Sequence, residues 1–281
     1  MHTTRFAPSP TGWLHLGHAY AALSAQRAAG NGRWLLRIED LDATRARPEF
    51  DVAIESDLRW LGLSWPKPVL RQSQRRAQYQ AALATLAAAG LLYPCFCTRR
   101  QIAAEIAQAA QAPQGASAGI YPGTCRQMAL EERARRIAAG QLHVLRLDVA
   151  AAAARVGPLR FTELGSGPAG ESGVIALDPA VFGDIVLARR DVGAAYHLAV
   201  VVDDAFQQVS LVTRGNDLFT ATPVQRLLQA LLDLPEPRYA HHRLILDANG
   251  NKLSKRDGPV TLRDLRQQGM TAAAVRRQLG F

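Results

Sequence analysis

The chain has few cysteines, very few lysines and no long apolar run. Its three cysteines, Cys95, Cys97 and Cys125, are too few and too clustered for a secreted disulfide framework. Met1 to Phe6 hold no apolar stretch of the kind a signal peptide needs. No run of about 18 uncharged apolar residues occurs anywhere, so no membrane span is expected. A cytoplasmic protein is the expectation. Only Lys67, Lys252 and Lys255 are lysines among 33 basic residues. The surplus of arginine and alanine is also what genome base composition produces, so it assigns no function by itself.

What is present fits a folded domain. The 281 residues are 48% hydrophobic and 20% charged, enough for one large domain or a core domain carrying an insertion. A formal net charge of +9 favours a polyanionic partner such as a nucleic acid. Thr3 to Phe6 reads as a strand and Ala7 to Gly12 as a Pro/Ser/Gly turn. The pattern then predicts a helix over Leu16 to Ala29, a buried strand over Arg33 to Ile38, and a helix opened by Pro48. This β-α-β-α opening is the signature of a doubly wound α/β sheet.

The middle differs in character. Ala103 to Gly119 reads as a helix running into a mobile loop, and residues 142–190 as short strands joined by Gly and Pro turns. Apolar α/β patterning returns at Leu198–Val202 and Val209–Val212 and in a helix from Thr222. The expected organisation is a Rossmann core in two halves, 1–92 and 191–240, split by an inserted α+β subdomain at 93–190. A segment at 241–281 closes the chain.

Two short segments carry most of the chemistry. Arg5-Phe6-Ala7-Pro8-Ser9-Pro10-Thr11-Gly12 leaves a strand and enters a helix, where sheets of this kind bind ligands. Free N–H groups at that helix start attract phosphate, and His15 and His18, three residues apart, share the same end. They could donate to phosphate oxygens in a transition state. Lys252-Leu253-Ser254-Lys255-Arg256 places two of the three lysines in one segment. A lysine is a compact, mobile point charge suited to a phosphate, whereas arginine is a planar fork suited to carboxylates.

Arg5–Gly12 followed by Leu14-His15-Leu16-Gly17-His18-Ala19 resembles the start of the class I glutamyl-tRNA synthetases. Arg33–Asp40 resembles their next strand. Tyr196–Asp204 and Arg214-Gly215-Asn216-Asp217-Leu218 resemble the second half of their core, and Lys252–Arg256 resembles their mobile lysine loop. The resemblance spans nearly the whole chain in order. It implies that His15, Gly17, His18 and Lys255 bind ATP, and that His15, His18, Lys252 and Lys255 are catalytic. It also implies a glutamate pocket of Arg5, Ala7, Ser9, Glu39, Tyr196 and Arg214, in which the arginines face carboxylates while Glu39 and Ser9 meet the ammonium. The implied reaction is attack of the glutamate α-carboxylate on the α-phosphate of ATP, with Mg²⁺ accompanying the nucleotide. No dedicated Mg²⁺ cage is visible, and Asp203 and Asp204 read as structural or ribose-facing.

Cys95, Cys97 and Cys125 supply three thiols for one closed, structural Zn²⁺ site. The resemblance to a family subgroup suggests Tyr121 as the fourth ligand, with His143 the conventional alternative. Unliganded reduced cysteines are the bland reading.

Only 25 residues follow Arg256, too few for an anticodon-binding domain, since a domain needs at least about 50. The expected architecture therefore has no such domain and resembles the truncated paralogue family, the glutamyl-Q tRNA(Asp) synthetases. That resemblance implies tRNA-independent activation of L-glutamate and its transfer to queuosine in the anticodon loop of tRNA(Asp), by a monomer. Arg126, Arg133, Arg135 and Arg136 could grip the stem-loop, or form a solvated helix face. The alternatives are a synthetase catalytic subunit charging a tRNA 3′ end, a non-catalytic sensor and a small nucleotidyltransferase.

Overall fold

A computed structural model describes residues 1–110, 120–189, 193–246 and 260–281, with the side chains of 105–110 left aside. The expected loop at 111–119 and the segment Lys252–Arg256 lie outside these residues.

The chain opens as its pattern predicts: β1 (Thr3–Phe6), α1 (Leu16–Ala29), β2 (Arg33–Ile38) and α2 (Pro48–Trp60). It continues through β3 (Leu70–Arg71), α3 (Arg76–Ala88), β4 (Leu92–Cys95), α4 (Arg99–Ala110) and α5 (Leu130–Ala138). Next come β5 (Val144–Leu147), α6 (Val149–Val156), β6 (Leu159–Glu163), β7 (Gly173–Leu177), β8 (Val186–Arg189) and β9 (Gly193–Ala194). The chain ends with α7 (Tyr196–Phe206), β10 (Leu211–Gly215), α8 (Thr222–Leu231), β11 (Arg238–His242), α9 (Leu262–Gln267) and α10 (Ala272–Leu279).

β1, β2 and β3 pair in parallel, and so do β10, β11 and β6; β7 closes the second sheet antiparallel. The two sheets meet where Ser210 donates its backbone N–H to the Thr3 carbonyl at 3.0 Å, just ahead of β10. β1 and β10 therefore lie side by side, and the crevice beyond their carboxyl ends is the place where an open α/β sheet binds ligands. β10 is buried along its whole length and β2 from Trp34 to Ile38, as strands covered on both faces are, and β2 reads accordingly as a largely apolar run. α1 lies close against this sheet because its buried face is built largely of alanines, Ala19, Ala22, Ala25 and Ala29, with Leu23.

The middle of the chain builds a separate antiparallel sheet in the order β4-β5-β8-β9. Within 93–190, β6 and β7 join the parallel sheet instead, through the pairing of Glu163 with Tyr239. The stretch expected to be all short strands also contains α6. Five consecutive alanines have the highest helix propensity, and Asp148 caps them by accepting from the Ala151 N–H at 3.0 Å.

Candidate active site

The crevice between β1 and β10 opens into a cavity of about 570 Å³. Arg5, Ala7, Ser9, His15, Gly17, His18, Glu39, Tyr196 and Arg214 all line it, so one concavity collects every glutamate-pocket and histidine-motif residue expected from sequence. Lys252 and Lys255 lie outside the described residues. The residues before them, Leu244 and Ile245, line the cavity. Beyond them, Leu262 donates its N–H to the Leu14 carbonyl at 2.8 Å, and Thr261 bridges to His15.

His15 is the N-cap of α1 and forms an unusual capping box with His18. His15 Nδ1 accepts from the Gly17 N–H at 3.1 Å, and His18 Nδ1 accepts from the His15 N–H at 3.2 Å. The two rings lie 3.9 Å apart between centroids. Because each Nδ1 is an acceptor, a neutral ring must carry its proton on Nε2. Both imidazoles are thereby fixed in the tautomer that donates from the outer nitrogen, next to the positive end of the helix. Gly17 permits this: a Cβ there would sit 3.0 Å from His15 Cε1 and push the ring away.

Each buried arginine is held by dedicated partners. Arg5 donates from Nε and Nη2 to Asp204 at 2.9 and 3.2 Å, and from Nη1 to the Thr213 carbonyl at 3.2 Å. Arg214 donates to Gln225 at 2.6 Å, to Thr222 at 2.7 Å and to His241 at 3.0 Å. Glu39 stands 3.6 Å from Arg37. Burial pushes its carboxyl up to about 7, against the opposing pull of Arg37 and Arg5. The site thus offers two guanidiniums and one carboxyl group, the complement of a ligand with two carboxylates and one ammonium.

Asp203 and Asp204 are structural rather than ribose-facing. Asp203 takes hydrogen bonds from Arg75, Gln72 and Tyr79, and Asp204 takes them from Arg5 and Arg37. Sequence reasoning missed the partners of Arg214, since Thr222, Gln225 and His241 stand in no local motif with it.

A second cluster lies between β4 and the turn before α5. The sulfurs of Cys95, Cys97 and Cys125 all lie within 4.8 Å of one another. The Tyr121 hydroxyl is 3.3 Å from Cys95 Sγ and 3.7 Å from Cys97 Sγ. Three thiols this close together are a donor set that fits a single metal ion, and the Tyr121 hydroxyl, which accepts the Cys125 N–H at 2.9 Å, stands beside them. His143 does not join them: its Nδ1 meets the Gln141 carbonyl at 3.0 Å and its ring packs on Phe96. The four arginines considered for nucleic acid already have partners. Arg126 pairs with Asp184, Arg133 donates to the Arg126 carbonyl, and Arg135 and Arg136 both reach Glu132.

Residues 2–280 match the family of class I tRNA synthetases (E and Q), catalytic domain. The chain therefore belongs to the class I tRNA synthetases of that type. It is 48% identical to the glutamyl-Q tRNA(Asp) synthetase of Rhodobacter capsulatus, covering 99% of both chains. It is 46% identical to the enzyme of the same name from Nocardia farcinica, covering 96% of this chain and 81% of that one. By these matches it is a member of the glutamyl-Q tRNA(Asp) synthetase family. A glutamate tRNA ligase of Elizabethkingia meningosepticum, solved with its amino acid, superposes with a TM-score of 0.73 at 27% identity. That match covers 92% of this chain, which spans only 52% of the longer ligase.

Proposed function

We propose that this protein activates L-glutamate with ATP and transfers the glutamyl group to queuosine in the anticodon loop of tRNA(Asp). The observation that carries the reading is the single cavity holding Arg5, Arg214 and Glu39 beside the His15–His18 helix start. In the first step a carboxylate oxygen of glutamate attacks the α-phosphorus of ATP. The bond to the β-phosphate bridging oxygen breaks, and pyrophosphate leaves with that electron pair. The protein's contribution is placement and charge stabilisation. Arg5 and Arg214 hold the carboxylates of glutamate, and Glu39, with the Ser9 region, receives its ammonium. Nε2–H groups of His15 and His18 donate to phosphate oxygens. Lys255, with Lys252 beside it in sequence, neutralises the leaving pyrophosphate, a reading supported by the return of Thr261–Leu262 to Leu14–His15. Mg²⁺ enters with ATP.

Cys95, Cys97, Cys125 and Tyr121 hold one structural Zn²⁺, which would tie β4 to the segment before α5. We take residues 93–190 as the insertion that meets the tRNA, with its antiparallel sheet beside the core, in a monomeric cytoplasmic enzyme. Among the described residues no helix is long and apolar enough to cross a membrane.

The test is transfer of labelled glutamate, with ATP, to tRNA(Asp) carrying or lacking queuosine. A parallel arm uses tRNA whose 3′ end has been oxidised with periodate while the queuosine diol is protected. Labelling that needs queuosine and survives 3′ oxidation is expected. Labelling of an intact 3′ end of tRNA(Glu) would instead make the protein a charging enzyme.

A further inference from the structure

Arg214 does not stand alone in the cavity wall. Its Nε–H points at His241 Nε2, 3.0 Å away, and the opposite ring nitrogen, Nδ1, lies 2.6 Å from Glu163 Oε2. The other Glu163 oxygen accepts two backbone N–H groups, from His241 and from Gly165, both at 2.8 Å. All three side chains are buried. Phe219 meets the His241 ring edge-on at 4.9 Å, and Tyr239 stacks parallel to it at 6.1 Å.

Donor and acceptor counting fixes the state of this chain of groups. A guanidinium has only donors, so His241 Nε2 must present its lone pair to Arg214. The imidazole proton then sits on Nδ1 and is donated to Glu163, which accepts three hydrogen bonds as a carboxylate. Burial and the charge of Arg214 both hold His241 towards its neutral form. Burial alone would raise Glu163, but the hydrogen bonds from His241 outweigh it and hold the carboxyl below its ordinary value. Gly165 is required for the turn: a Cβ there would fall 2.3 Å from the His241 carbonyl oxygen and 2.9 Å from Glu163 Oε1.

Gln225 and Thr222 each take one N–H from the two Nη atoms of Arg214, leaving one N–H on each for a ligand. Those two contacts locate the tips of the fork, and the Nε contact to His241 sets the plane through which they point. We propose that Glu163 and His241 form a buried positioning relay, in which the carboxylate selects the imidazole tautomer that locks Arg214 in its substrate-binding orientation. The relay rests on the reading of Arg214 as a ligand for a substrate carboxylate. Neither Glu163 nor His241 lines the cavity. Glu163 lies in β6, within 93–190, so the glutamate pocket depends on a strand supplied from that stretch.

Glu163→Gln tests the tautomer directly. The amide oxygen can keep the two backbone N–H groups, but the amide nitrogen then donates to His241 Nδ1. The ring proton is forced to Nε2, where it meets the Arg214 Nε–H donor to donor. In ATP–pyrophosphate exchange, the KM for glutamate should rise roughly five- to a hundredfold, the cost of one buried polar group left unpaired. The KM for ATP and kcat should stay within about twofold. Combined with Arg214→Ala, the substitution should add nothing further to the glutamate effect.

A glutamate KM unchanged by Glu163→Gln overturns the relay, as does a rise matched by ATP. Full additivity with Arg214→Ala also overturns it. If Arg214→Ala itself leaves glutamate binding intact, the reading of Arg214 fails, and that failure is visible separately from the relay's. Should Glu163→Gln unfold, His241→Gln and His241→Leu make the same comparison. A glutamine oxygen can still accept from Arg214 while leucine cannot, so the glutamine variant should keep the lower glutamate KM. Equal values in the two would reject the relay.

Discussion

Arg5 and Asp204 are joined through two contacts, Nε to Oδ1 at 2.9 Å and Nη2 to Oδ2 at 3.2 Å, although 199 residues separate them in the chain. The same Oδ1 accepts from Arg37 at 2.7 Å. One carboxylate from α7 thus serves two guanidiniums from β1 and β2, and the wall of the cavity is built across the junction of the two half-sheets. Burial alone would raise Asp204, but Arg5 and Arg37 hold its carboxyl below the usual range.

Asp204→Asn should therefore be costly to stability and to glutamate binding together. Removing one partner of a buried ion pair typically costs about 3–5 kcal/mol, because the remaining charge is left uncompensated. The sign in pH follows from the depressed folded value. The stabilisation is present above the ordinary aspartate range, near about pH 4, and is lost as pH falls below it. Denaturant titrations at neutral and acid pH should show the gap between wild type and Asp204→Asn narrowing on the acid side. A constant gap would show that the pair does not titrate with folding.

Glu39 should govern how glutamate binding depends on pH. Its folded value of about 7 lies above the ordinary glutamate value, so the empty site holds a proton there at mildly acid pH. An ammonium needs the ionised form. Affinity for glutamate should strengthen as pH rises through about 7 and level off above it, weakening by about tenfold for each unit below. The same group lowers stability as pH climbs from the ordinary glutamate range towards 7, since the unfolded chain ionises first. Calorimetric titration with glutamate from pH 5.5 to 8.5 measures the first effect, and Glu39→Gln should flatten the profile.

Metal removal should loosen the region around β4 and leave the core sheet intact. Burial pushes the Cys97 thiol up to about 12, so a bound cation must displace its proton, whereas hydrogen bonds from the Phe96 N–H and from Tyr121 overcome burial and hold the Cys125 thiol below its ordinary value. Chelation is expected to lower the melting temperature, by roughly 2–4 °C for each kcal/mol lost. Elemental analysis should find one zinc per chain in untreated protein and none in Cys97→Ser/Cys125→Ser. An unaltered melting curve after chelation would argue for reduced, unliganded thiols.

Lys255→Ala should separate binding from chemistry. Adenylate formation, followed as pyrophosphate exchange, is expected to fall by two or more orders of magnitude, the range for loss of one preorganised charge-stabilising group, about 10²–10³. The dissociation constant for glutamate should stay near that of wild type. Equal loss of both would move Lys255 from the phosphate to the amino-acid side of the site.

Much of this protein is local enough to be read directly. β1, α1, β2 and the start of α2 fall where a short apolar run, a proline at the first helical turn and glycine breakers put them, because those signals act over a few residues. The His15-Leu16-Gly17-His18 turn belongs to the same class, since its capping box is made by residues three apart. Arg5, Glu39, Tyr196 and Arg214 could be nominated from motifs, and the structure gathers them in one cavity. α6 was hidden by the strand-like residues around it, and the assignment of β6 and β7 to the parallel sheet depends on pairing with β11 some 75 residues later.

By itself, then, the sequence nominated candidates for carboxylates, an ammonium and phosphates, because charge and hydrogen-bonding capacity belong to side-chain chemistry and the motifs are contiguous. Tertiary structure alone decided that Asp204 would serve Arg5 and Arg37, that Asp203 would be spent on Arg75, Gln72 and Tyr79, and that Glu163 would reach Arg214 through His241. Such partnerships arise when strands and helices distant in sequence are packed against one another. Burial there leaves each polar group only the partners that the fold brings within hydrogen-bonding distance.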